Sequence, residues 1–389
     1  VAVTTRILNG AAIMRLAVGW GAFILTLVLG RFLEPPVPAP LLVATLVALI
    51  AVILGCAFGV VHEAEHLARR LGDPYGTLVL TLSIVAVEVI LISAVMLGPG
   101  EHATIARDSV TAVAMIILCL IPGIAYVVGG RKGGLRINPT GGSAYLAMLL
   151  VLMAIAFALA PTVGSDGGFT SPQAWIVAVG TLAAYAYFLY RQTGAQAADF
   201  REVGERRSTT GGAADDSTPE NAGAIVREEG GIRAAFATHR REIIGRGALL
   251  IATAVPIVLL SHEMAALLDD GMGRLGAPPA LAGLLIACIV FLPESITAVR
   301  AAAAGEGQRV LNLCHGALVS TVGLTIPAVL VIGELTGQRV VLAESGANAV
   351  LLAVALGLTT ITFAARRIGP IHGLAHVALF GAYLLAVLA

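Results

Sequence analysis

Apolar runs long enough to cross a lipid bilayer follow one another from end to end of this 389-residue chain. A helix needs roughly 20 apolar residues to span about 30 Å of hydrocarbon. Such runs lie near 11–30, 40–62, 77–97, 109–129, 142–161, 173–190, 247–267, 280–302, 310–333, 345–365 and 370–388. They predict an all-α polytopic membrane protein with eleven transmembrane helices. Composition agrees, since only 12% of residues are charged, against about a quarter in a soluble domain. The connections hold helix breakers such as Pro35-Pro36, Gly98-Pro99-Gly100 and Gly369-Pro370. The first run carries Arg15 and lacks a small-residue cleavage pattern, so it reads as a retained span.

Residues 191–246 break the pattern, being rich in Arg, Glu, Asp, Ser, Thr and Gly, and the stretch 208–221 reads as disordered. The chain then divides into an N-terminal extra helix (1–33), a first half (34–190), a polar linker (191–246) and a second half (247–389). If the linker is cytoplasmic, 20 of the 24 basic residues fall on its side of the membrane. That predicts a cytoplasmic N-terminus in a multi-pass protein of the bacterial inner membrane. A single lysine (Lys132) among the basic residues fits a GC-rich bacterial genome. Acids and bases balance, so no charge excess points to a nucleic-acid partner. The linker acids Asp215, Asp216, Glu220, Glu228 and Glu229 admit either a calcium-binding regulatory patch or a solvated mixed-charge segment. Oligomeric state is left open.

The two halves share an ordered pattern. Glu65, Arg70-Leu71-Gly72-Asp73-Pro74 and Glu88 in the first answer to Asp269, Arg274-Leu275-Gly276-Ala277-Pro278 and Glu294 in the second. An odd number of crossings separates the two RLGxP turns, so the halves are predicted to be inverted five-helix repeats. Inverted repeats are common in secondary transporters, with the site at the midplane where they meet.

Glu88 and Glu294 lie inside apolar runs, where an acid costs roughly 2.5–3.5 kcal/mol by insertion scales and usually faces a pathway. Pro293 frees a carbonyl one turn earlier that can serve as a ligand. Thr81, Ser83, Ser295, Asn312 and Ser320, with Ser93, Thr297, Thr321 and Thr325, could add oxygens, although each alone also reads as a helix-packing group. Two carboxylates with hydroxyl, amide and carbonyl oxygens suit a hard cation such as calcium. The four cysteines show no metal or redox spacing. Burial favours a protonated carboxyl and a bound cation favours the ionised one, so proton and cation compete for the same oxygens.

The segments HEAEHLARRLGDPYGTLVLTLSIVAVEV and LIACIVFLPESITAVRAA, the latter followed by RVLNLCHGALVSTVGLTIPAVL, resemble the two α-repeats of the cation/calcium exchanger superfamily. They are most similar to the ChaA-type calcium/proton antiporters. The resemblance implies an alternating-access antiporter, not an enzyme, that exchanges a cation, foremost Ca2+, for protons without a cofactor. It implies that Glu88 and Glu294 bind the cation and that Glu65 and Asp269 act in gating or entry; the helices of 40–62 and 247–267, which precede those acids, are then expected to be the gates. The GN-x-x-E pattern of many calcium/proton exchangers is absent, with Ile84-Val85 and Val290-Phe291 in those places. Na+ or K+ therefore stands as an alternative cation.

One motif points elsewhere. His62-Glu63-Ala64-Glu65-His66 matches H-E-x-x-H, with two histidines four residues apart as zinc ligands and Glu63 as a general base. Leu268-Asp269-Asp270-Gly271 would supply a third ligand, giving an intramembrane zinc metalloprotease as the enzyme-class alternative. His372 and His376, one turn apart in the last run, read as packing residues.

Overall fold

The computed structural model describes residues 8–33, 36–71, 75–97, 103–131, 133–202, 231–278 and 280–388, without the side chains of 75–78, 80–81 and 231–238. Eleven long helices make up the described chain. They are α1 (Gly10–Leu29), α2 (Ala39–Leu71), α3 (Tyr75–Met96), α4 (Ile105–Gly130), α5 (Pro139–Val163), α6 (Ser171–Thr193), α7 (Gly231–Leu275), α8 (Ala280–Ala304), α9 (Gly307–Thr336), α10 (Gly346–Ala364) and α11 (Pro370–Leu388). Ten are long and apolar enough to cross a bilayer, and α3 is apolar over Leu82–Met96. The thirteen residues Arg70 to Leu82 hold the first RLGxP turn, of which 72–74 lie outside the described residues, as do Asp215, Asp216, Glu220, Glu228 and Glu229.

Local chemistry sets the helix ends. Asn9 Oδ1 accepts the Ala12 N–H at 2.8 Å to start α1, and Asn138 Oδ1 accepts the Thr140 N–H at 3.0 Å to start α5. Gln173 Oε1 accepts the Thr170 N–H at 2.9 Å before α6. Gly337, at φ 71°, closes α9 in the left-handed conformation that glycine tolerates.

Contacts between ends show how the helices alternate. Glu202, after α6, bonds the start of α9. Arg246 of α7 reaches Glu63 near the end of α2. At the opposite end, Arg107 meets Glu344, and Ser171 bonds Glu334. We call the first the linker end and the second the far end. Arg70 lies at the linker end and Arg274 at the far end, where Asp270 binds both Arg274 and the Val37 N–H. The two RLGxP arginines thus occupy opposite ends of the bundle.

The most enclosed helices are α4, α9 and α8, whereas α1 is only 17% buried and lies at the rim. α8 packs on both halves of α4, α9 on α3, and α2 along α7. α4 and α9 each contain a π-helical turn, at Ile116–Leu120 and Asn312–Gly316.

Two elements run longer than the apolar pattern predicts. α2 continues to Leu71 and α7 to Leu275, so Glu65 and Asp269 sit within helices. The linker is also structured at both borders. Its first residues extend α6 to Thr193 and fold back through Ala197–Phe200, and its last lie in α7, where Arg246 is buried.

Candidate functional site

Glu88 on α3 and Glu294 on α8 are both buried, at 1% and 7% exposure. Thr321 Oγ1 on α9 donates to Glu88 Oε2 at 2.6 Å. Among the described residues the other Glu88 oxygen and both Glu294 oxygens have no hydrogen-bond partner, and neither has Thr325 Oγ1, one turn beyond Thr321. A buried ionised carboxylate without partners is too costly to persist, so such oxygens call for a proton or a cation. Glu88 and Glu294 lie within electrostatic reach of each other, and Glu65 within reach of Glu294.

Asp269 stands six residues before the end of α7, as Glu65 stands six before the end of α2; it is half-buried and engaged with a partner. Glu65 is partly exposed and pairs with Arg69 at 3.7 Å.

The expected supporting ligands divide. Ser83 and Ser295 donate to carbonyls of their own helices, Val79 at 2.6 Å and Phe291 at 2.5 Å, leaving only lone pairs to offer. The side chain of Thr81 lies outside those described. Asn312 is not at the carboxylates. Its amide donates to Phe200 O at 2.7 Å and accepts from Gln308 at 3.1 Å, at the linker end. Nine residues separate it from Thr321, about 13 Å along a helix. Ser320 accepts from Tyr185 at 2.9 Å and donates to Gly316 O at 2.8 Å, which turns it away from Glu88. The sequence named Thr321 among the hydroxyls of α9 without separating it from its neighbour, and it is Thr321 that reaches the site.

The H-E-x-x-H reading does not survive the geometry. The His62 and His66 rings meet edge-on with centroids 4.6 Å apart. Glu63 is 3% exposed and held by Arg246 at 2.7 Å, so it is committed to an ion pair and not free as a base. The Asp269–Asp270 pair expected to complete a zinc site sits beside Val37, at the other end of α2. Twenty-three helical residues, about 35 Å, lie between the start of α2 and His62. Among the described residues no group of three His, Cys, Asp or Glu side chains is placed to hold a metal.

Comparison with known proteins agrees with this architecture. The sodium/calcium exchanger protein family profile matches residues 41–194 and 247–389. The sodium-potassium/proton antiporter ChaA of Escherichia coli (strain K12) is 33% identical over 352 residues, covering 90% of each chain. The native structure of YfkE superposes with a TM-score of 0.69 at 15% identity, over 96% of this chain and 99% of that one. An H+/Ca2+ exchanger, CAX, superposes at 0.65 and 14% identity, over 97% and 89%. At that identity the two structures speak for the fold alone.

Proposed function

The chain belongs to the sodium/calcium exchanger family, and from that premise we propose that it exchanges a cation for protons at Glu88 and Glu294 by alternating access. The observation that carries the reading is the pair of buried glutamates with three unpartnered oxygens between them. Two carboxylates balance one divalent cation or two protons, which makes Ca2+ the first substrate on charge grounds. The inverted-repeat arrangement supports alternating access: the two RLGxP arginines lie at opposite ends, α3 packs on α9, and α8 packs on α4. α2 and α7, packed along each other, are the gates, with Glu65 towards the linker end and Asp269 towards the far end. By the distribution of basic residues the linker end is cytoplasmic.

A second reading, Na+ or K+ against protons, is favoured by the relative named for sodium, potassium and protons. It is also favoured by Asn312, the amide expected at the site, being engaged elsewhere. Proteoliposomes with an imposed pH gradient decide between the two. Collapse of the gradient by Ca2+, absent in Glu88→Gln, supports the first reading. Collapse by Na+ or K+ alone keeps the mechanism and changes the substrate. No response to any cation overturns both.

A further inference from the structure

Prolines interrupt several of these helices, and a proline inside a helix leaves the carbonyl four residues earlier without its donor. In a bilayer that carbonyl needs another partner. Pro256 strips Ala252 in α7, and the Trp20 indole N–H of α1 donates to Ala252 O at 3.2 Å. In α4, Pro122 supplies no N–H just past the π-helical turn Ile116–Leu120, and Leu118 O lies within that turn. There the partner is His376 of α11, whose Nδ1 lies 2.7 Å from Leu118 O.

The junction is built around that contact. A carbonyl only accepts, so the imidazole carries its proton on Nδ1. Nε2 then faces Thr362 Oγ1 of α10 at 3.0 Å. The Tyr126 ring meets the imidazole edge-on at 5.7 Å. Gly123 and Gly373 let the two helix backbones touch beside it, since a Cβ on Gly123 would lie 2.9 Å from Gly373 O. His376 is fully buried. Both halves of α4, on either side of the break, pack against α8, the helix that carries Glu294.

We infer that His376 is a positioning residue for exchange: its Nδ1–H holds the proline break of α4 in the shape against which α8 presents Glu294. The inference rests on Glu294 being in the cation site. It assigns a role to the last helix of the second half, which carries neither glutamate.

Amide substitutions separate this role from bulk packing. Asn places its N–H2 where Nδ1 stands, whereas Gln places it where Nε2 stands. His376→Asn is expected to keep the cation KM within about threefold of the parent, while His376→Gln and His376→Leu raise it roughly tenfold, the cost of one lost buried hydrogen bond. Vmax per folded molecule should change little. Parental KM in the Gln variant, or an Asn variant as impaired as Gln, overturns the inference. If the Leu variant does not fold, the Asn/Gln pair still decides. Glu294→Gln in the same assay tests the site separately. Near-normal exchange there would remove the site reading, and His376 is then judged by hydrogen exchange of the amides around Cys119 and Gly123. Gln but not Asn should speed that exchange, and equal rates overturn the junction as well.

Discussion

At the scale of single residues, the two glutamates were legible because each is a lone charge in an otherwise apolar run. The hydroxyl that serves one of them was not. Ser320 and Thr321 are adjacent, and which one faces Glu88 depends on helix phase. The π-helical turn Asn312–Gly316 lies just before them and changes that phase by up to a residue, about 100°. No apolar periodicity in so uniformly hydrophobic a helix could reveal the shift. Asn312, at the start of that turn, lies against Phe200 and Gln308 and not beside the carboxylates. Thr321→Val keeps the shape and removes the donor to Glu88, so cation affinity should fall about three- to tenfold. Thr321→Ser should retain it. Transport kinetics over a cation series measure both, and equal KM values for Val and Ser would remove Thr321 from the site.

At the scale of elements, the α2–α7 pair shows how a motif can mislead. The sequence of His62 to His66 fits a zinc helix, yet Glu63 lies in a buried ion pair with Arg246. Arg246 also contacts Glu242 at 3.2 Å, and Glu242 contacts Arg70 at 3.1 Å. At the far end Asp270 accepts the Val37 N–H at 3.0 Å. The two helices are therefore tied at both ends. Arg246 was assigned to the polar linker because the charged run around it hides the start of α7. Removing one partner of a buried pair leaves the other charge uncompensated, so Arg246→Ala should destabilise the protein by ~3–5 kcal/mol. Replacing both with apolar residues of similar size, Glu63→Leu with Arg246→Met, should recover most of that loss. Thermal unfolding in detergent reads the cycle, and additive losses would show that the pair is not coupled.

At the scale of the whole molecule, the eleven helices and their order were legible because bilayer thickness leaves little freedom in span length. The junctions that join the halves were not, because they form between residues far apart in sequence. At the linker end the starts of α5 and α9 meet through neutral groups, with Gln308 Oε1 accepting the Asn138 N–H at 2.7 Å. Glu202 adds two bonds, to the Gln308 and Arg309 N–H groups at 3.3 and 3.0 Å. At the far end the starts of α4 and α10 meet through a buried acid. Glu344, between α9 and α10, accepts from Thr111 and from Asn348 at 3.0 Å, with Arg107 3.9 Å away. Burial pushes its carboxyl above the usual range, although Thr111, Asn348 and Arg107 pull it down. The folded protein therefore holds this proton more tightly than the unfolded chain. The stability it contributes below the ordinary carboxylate range is lost as pH rises through the raised value. Wild type should lose unfolding temperature relative to Glu344→Gln as pH rises. An offset that stays constant across the pH series contradicts this assignment.

The central claim is that protons and a cation compete for Glu88 and Glu294. Titration calorimetry of the purified protein with Ca2+, Na+ and K+, repeated in buffers of different ionisation enthalpy, counts the protons released per cation bound. Binding that releases protons, with fewer released or no binding in Glu88→Gln and Glu294→Gln, is the predicted result. Binding without proton release, or parental release in both variants, would contradict it.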